Sequence, residues 1–238
     1  MFPAATYTSR RATLAAAMKS GLLVFLGNDE SPMNYADNTF AYRQDSSFLY
    51  YFGLSHAGLA ATIDADSGTA TIYGNDLTID DIVWTGPQPT IAELSAKVGV
   101  TKAAPAAALS DAVRAAKAAG RGVHVLPPYR GEHWLKLANL LGVAPGAVTD
   151  AVSLPFVRAV INMRIHKTPE EVAEIERAVD TSVDMHVTAM AMARPGMKES
   201  DIAAKVTEIA LAAGGNLAFP VIATIHGETL HNHHHGHT

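Results

Sequence analysis

Cysteine is absent from the 238 residues. That excludes disulfides, thiolate metal sites and a cysteine nucleophile, and fits a reducing compartment, so the chain is expected in the cytoplasm. Tryptophan is scarce, with only two residues, Trp84 and Trp134. Positive charge is thin: 18 Lys+Arg against 23 Asp+Glu leave a formal net charge of -5. Scattered cations at that balance give no basic footprint for a phosphate backbone, so nucleic acid is excluded as a partner. Several catalytic signatures are missing as well. There is no G-x-S-x-G elbow, no glycine-rich phosphate loop after a strand, and no H-E-x-x-H spacing. A membrane partner is not expected. The stretch "SRRATLAAAMKSGLLVFLGNDE" mimics an export signal, but Lys19, Ser20 and Gly21 cut its apolar run in two, and a helix followed by a strand explains it better.

What is present is ordinary globular material, 48% hydrophobic and 17% charged. Apolar spacing predicts a helix over 8–18 and a strand buried on both faces over 22–26. "GLAATIDADSGTATIYG" alternates around Asp66-Ser67-Gly68 and predicts a hairpin. Helices are expected in "TIAELSAKVGV" and "ALSDAVRAAKAAG", the latter capped by Ser110 or Asp111 and stopped at Gly120, and "GVHVLPP" reads as a short strand. Strands alternating with helices give an α/β (α+β) class with a mixed central sheet. The first domain, residues 1–155, is expected to end at a proline-marked junction. In 156–238 two long helices follow. Thr168 caps the first, with Pro169 at its first position and Glu170-Glu171 in its positive first turn; Arg194-Pro195-Gly196 ends it. The second starts at Lys198-Glu199-Ser200-Asp201 and stops at Gly214-Gly215, after which "LAFPVIATIHGETLHN" resumes strand character.

Several residues could carry chemistry. The densest polar and aromatic cluster is "YADNTFAYRQDSSFLYYFGL", where Asp45 or Ser46 caps a short turn presenting Phe48, Tyr50, Tyr51 and Phe52, with Gly53 turning the chain away. It is either a groove or a well-packed helix edge with Arg43 paired to a carboxylate. Trp84, before a Gly-Pro turn, is an interface anchor or a plug over the core. His56, His124, His133, His166 and His186 lack ligand spacing and read as surface or satisfied core histidines. Asp80-Asp81 are assigned to a loop. The tail concentrates imidazoles at His231, His233, His234, His235 and His237. A strand alternates its side chains, so 233–235 cannot converge on one ion without a turn. Asn232, Gly236 and Thr238 interrupt the run, which argues against a tag.

"YRQDSSFLYYFGL" resembles the signature segment in the N-terminal domain of metal-dependent Xaa-Pro aminopeptidases (the aminopeptidase P family). "HKTPEEVAEIERAVDTSVDMHVTAM", "RPGMKESDIAA" and "GGNLAFPVIATIHGETLHN" resemble, in the same order, the opening of that family's pita-bread catalytic domain. Prolidases and creatinases share the architecture. The resemblance implies a creatinase-like N-terminal domain followed by the start of a pita-bread domain, in a homo-oligomeric hydrolase (dimer or tetramer). Its substrate would be a peptide with proline at the second position, and its cofactor two divalent metal ions, typically manganese. The family's ligands are two aspartates, a histidine and two glutamates, all beyond the segment matching "LHN", so no metal ligand is expected in this chain. His231 matches the family histidine that approaches substrate beside the metals, a role suited to a group titrating near neutrality. Asn232 stands where many members have tyrosine. Trp84, in "VWTG", falls where relatives place a tryptophan that reaches a neighbouring subunit's active site, and is carried over as substrate-binding. Two expectations follow. The 238 residues have no peptidase activity alone, and the second domain either associates with a partner or loses order after about residue 215.

Overall fold

A computed structural model describes residues 1–229. The contacts divide the chain into two compact units, Met1–Ile165 and the part from His166 onward.

The first unit is built on a five-stranded mixed sheet. Its strands are β1 (Leu22–Leu26), β2 (Ala60–Asp64), β3 (Ala70–Tyr73), β4 (Lys102–Ala104) and β5 (Val123–His124), in the order β4-β3-β2-β1-β5. The β1–β2 and β2–β3 pairs are antiparallel, while β5 and β4 join the two edges in parallel. The predicted hairpin is there: Asp64 Oδ1 accepts from the Asp66 and Ser67 amides at 3.1 and 3.0 Å, and Gly68 takes φ 71° to close the turn.

Strand alternation sorts the side chains into two cores. Leu23, Phe25, Ala61, Ile63 and Ile72 face helices α1 (Ala4–Met18), α2 (Ser46–Phe52), α4 (Ile91–Lys97) and α7 (Leu154–Ile165). Leu22, Val24 and Tyr73 face α5 (Ala108–Ala118) and α6 (Gly131–Leu141). With both faces covered, β1 is buried along nearly its whole length, as its uninterrupted apolar run predicts.

The sequence places the domain break near residue 155, whereas the contacts break at 165. Phe156 and Val160 are 0% and 6% exposed in the first core, so α7 closes the first unit. Pro155 sits in that helix's first turn, where its missing N–H costs nothing. The cap expected from Ser110 or Asp111 also differs, because α5 begins at Ala108 behind Ala107 with no side-chain cap.

The second unit opens with α8 (Pro169–Met192). Thr168 and Glu171 form the reciprocal capping box, and Pro169 occupies the first position. Helix α9 (Glu199–Ala212) packs against it, and Gly214 at φ 77° lets the chain turn away. Residues 217–229 contain no strand, contrary to the sequence expectation. An isolated extended segment has no ladder to join among the described residues of this unit. Helix α8 has no buried residue, and Val172, Ile175, Val179, Val183, Val187 and Met190, spaced by three or four, form an exposed apolar stripe.

Candidate functional site

The segment that looks most like a site, Tyr42 to Leu54, is assembled from three interlocking devices. The first is Gln44, 4% exposed. Its Oε1 accepts from the Asn28 and Asp45 amides at 2.8 Å each, and its Nε2 donates to the carbonyls of His56 (2.9 Å) and Leu54 (3.2 Å). One side chain thereby satisfies buried backbone groups at the end of β1, at the start of α2 and beyond its end. The Tyr42 hydroxyl reinforces the join, lying 2.9 Å from the His56 carbonyl and 3.2 Å from that of Asn28. Burial, with Asp29 nearby, pushes its pKa well above the ordinary phenol value.

The second device is the cap. Asp45 Oδ1 accepts from the Ser47 and Phe48 amides at 2.9 and 2.8 Å, as expected of a residue just ahead of a short helix. Gly53 ends α2 at φ 65°, and a Cβ there would lie 2.2 Å from the Tyr7 ring.

The third is aromatic. Phe48, Tyr51 and Phe52 are fully buried. Phe25 meets the Phe52 and Phe156 rings edge-on, with centroids 5.5 and 5.2 Å apart. Tyr50 is stacked beneath the Arg10 guanidinium at 3.9 Å, with Arg164 5.6 Å from its centroid. Arg11 is buried and pairs with no carboxylate among the described residues. It donates instead to the carbonyls of Tyr51, Val98 and Gly99 at 2.8–3.0 Å, tying α1 to α2 and to the turn after α4. The two arginines that gave the N-terminus its signal-like look are structural. From Gln44 to Gly53 the block is a packing keystone, as the packed helix edge of the two alternatives has it.

The remaining sequence-predicted residues are scattered. Trp84 lies on a helix, α3 (Ile79–Thr85), not on a loop. That helix starts at a capping box between Thr78 and Asp81, so Asp80 and Asp81 are first-turn residues and their loop assignment is corrected. No residue of α3 is buried, and Trp84 is 89% exposed beside Ile79 and Val83. His133 is buried with Nε2 3.0 Å from the Gly27 carbonyl, and His124 Nδ1 lies 2.8 Å from Ser153 Oγ. Both are satisfied structural histidines, as their isolation in sequence suggests. Burial lowers the pKa of His56 and of His124. His231, with His233, His234, His235 and His237, lies outside the described residues.

The donor set for a two-metal centre does not come together among the described residues, where no group of three or more His, Asp or Glu side chains could hold an ion. In the second unit, Glu171 and Asp201 cap helices, Glu174 and Glu208 pair with Arg177 and Lys205, and Glu199 accepts from the Ile225 amide at 2.7 Å. No described helix is long and apolar enough to cross a membrane.

Residues 7–124, the sheet together with α1 to α5, match the family model for the aminopeptidase P N-terminal domain. Those residues form an aminopeptidase P N-terminal domain. It is 26% identical over 208 residues to the Xaa-Pro aminopeptidase of Escherichia coli, covering 81% of this chain and 46% of that protein. A probable Xaa-Pro aminopeptidase of Metarhizium acridum is 25% identical over 228 residues, 94% of this chain and 43% of the relative. The human Xaa-Pro dipeptidase is 23% identical over 205 residues, 84% and 40%. The solved structure of Escherichia coli aminopeptidase P with the inhibitor Pro-Leu superposes with a TM-score of 0.74 at 20% identity, over 90% of this chain and 50% of that one. That likeness carries the mixed α/β fold. The chain spans about half the length of the curated relatives it matches. Gln44, Arg11 and the Phe25 cluster are engaged in backbone hydrogen bonds and ring packing within the first unit.

Proposed function

We propose that these 238 residues are the N-terminal portion of a metal-dependent Xaa-Pro aminopeptidase, which removes the residue preceding proline from the N-terminus of a peptide. The supporting observation is the aminopeptidase P N-terminal domain match over residues 7–124, continued by Xaa-Pro peptidase likeness through the second unit. In the whole enzyme two divalent ions, manganese by family resemblance, supply Lewis acidity and lower the pKa of a bound water. His231 is the one residue of this chain assigned beside that centre, where a group titrating near neutrality can hold or pass a proton. Trp84, exposed on α3, is assigned to contact peptide in an oligomeric assembly.

The donor chemistry of the described residues supports the further reading that this chain alone does not cleave peptides. The test is to assay the purified chain on an X-Pro-Y tripeptide with manganese added, measuring bound metal in parallel. No turnover with less than one equivalent of tightly bound manganese is expected. Turnover with stoichiometric manganese overturns the reading. Tripeptides against X-Pro dipeptides, assayed on the full-length protein, separate the aminopeptidase from a prolidase-type relative.

The stripe along α8 favours a second reading, a non-catalytic assembly module, because large uncovered apolar faces mark association surfaces. Sedimentation velocity checks it: a monomer at all concentrations removes this alternative.

A further inference from the structure

The two faces of the first unit's sheet are not equally apolar. Toward α1 and α2 the inward positions are Ala61, Ile63 and Ile72. On the opposite face, strand register sets Thr62 beside Thr71, and Thr71 beside Lys102, in one row across β2, β3 and β4. At the usual strand spacing the row is about 10 Å long.

Thr62 is 3% exposed and Tyr73 is 5%, and their hydroxyls lie 3.2 Å apart. Two hydroxyls sharing one hydrogen bond use one of their two hydrogens, so the pair retains a buried donor. Above the row α5 presents only methyl groups, from Ala112, Ala115 and Ala116, and the sheet and helix leave between them a cleft of about 300 Å³. Lys102 lies at its edge and is paired with no carboxylate among the described residues. Asp64 and Arg121 close the other end, bonded to each other at 2.8 Å.

We propose that this cleft binds a small organic carboxylate, its charged end held by Lys102 and the threonine and tyrosine hydroxyls, its aliphatic stem against the alanines of α5. The volume is at the lower end for ligand sites and fits an acid of a few carbons. Of the charged lining residues only Lys102 is uncommitted, which suits a monoanion; a phosphate dianion would want a second free cation. The alanine methyls of α5 on that wall give a bare inorganic ion nothing to contact. The proposal stands independently of the peptidase reading.

The test is an amide NMR titration of the whole chain with butyrate at constant ionic strength, with chloride, inorganic phosphate and butylamine as references. Saturable shifts at Thr62, Thr71 and Lys102 with butyrate alone are expected. Lys102→Met should weaken the binding about fivefold, the upper range for an exposed charge pair. Ala115→Leu, at an exposed helical position that tolerates leucine, should abolish it by filling the cleft. Absent or non-saturating shifts, equal shifts with phosphate or chloride, or shifts that survive both substitutions overturn the proposal.

Discussion

The first unit and the second differ in what they bury. In Met1–Ile165, both sheet faces are covered, and residues such as Tyr51, Phe52, Phe156 and Ile63 are fully enclosed. In the second unit a 24-residue helix, α8, has no fully buried residue, and its valines remain about half exposed. Both α8 and α1 have regular helical sequences, so helix formation is not what separates them. The difference lies in the surfaces offered to each helix within its own unit: α1 packs against β2, α2 and α7, whereas among the described residues of the second unit α8 packs chiefly against α9. Packing, not propensity, supplies most of a helix's stability in a protein. The first unit therefore has the makings of an autonomous domain, while the second presents a face suited to another surface.

Substitutions can break or sharpen that contrast. The largest effect belongs to Phe156→Ala, expected to destabilise the first unit by about 3–5 kcal/mol in urea unfolding. Val183→Ala on α8, half exposed, should change stability by less than about 0.5 kcal/mol. Equal losses would erase the distinction and with it the assignment of α7 to the first unit.

Next is a pair of glycines with the same backbone. Gly53 and Gly142 both have φ 65°, but a Cβ at Gly53 meets the Tyr7 ring whereas at Gly142 it meets nothing within 4 Å. Gly53→Ala should lose about 2–4 kcal/mol, strain plus overpacking, and Gly142→Ala about 1 kcal/mol, strain alone. Gln44→Leu should cost about 2–3 kcal/mol by stranding the amides of Asn28 and Asp45 and the carbonyls of Leu54 and His56.

A smaller effect is expected from pH. Burial lowers the pKa of His56, aided by Lys97, and of His124. A histidine whose folded pKa is depressed binds protons more readily when unfolded, so its folded form is favoured above the unfolded pKa of about 6.5 and loses ground as pH falls below it. The urea midpoint should fall between about pH 6.5 and 5, and the fall should shrink in His56→Gln with His124→Gln; an unchanged slope contradicts the assignment. Smallest of all, Trp84→Ala should leave stability within about 0.5 kcal/mol, because its ring is almost wholly in solvent.

Much of this architecture is legible in the residues. Thr168 with Pro169 and Glu171, Asp45 ahead of an aromatic run, and Asp66-Ser67-Gly68 between alternating strands each carry a local mechanism that survives in the structure. What escapes sequence reading has no such mark. Helix α6 starts at Gly131 behind Arg130, which makes no side-chain cap, β4 is three residues with no β-branched member, and Leu154-Pro155 looks like a junction although proline is welcome in a first turn. The α3 helix is capped by Thr78 and Asp81, a threonine-to-aspartate spacing that could have been read from sequence. The candidate site is less legible than the fold. His231 falls outside the described residues, and the block that signals the family turns out to hold carbonyls and rings in place. Arg10 and Arg11 show why: a buried arginine that donates to backbone carbonyls depends on residues 40 to 88 positions away, which no local pattern encodes.

Amide hydrogen exchange across the whole chain tests the contrast most directly. Strands β1 and β2 should exchange only through global unfolding of the first unit, while α8 exchanges through local opening at much lower free energy. Protection along α8 equal to that of β1 and β2 in a monomeric sample would contradict the account.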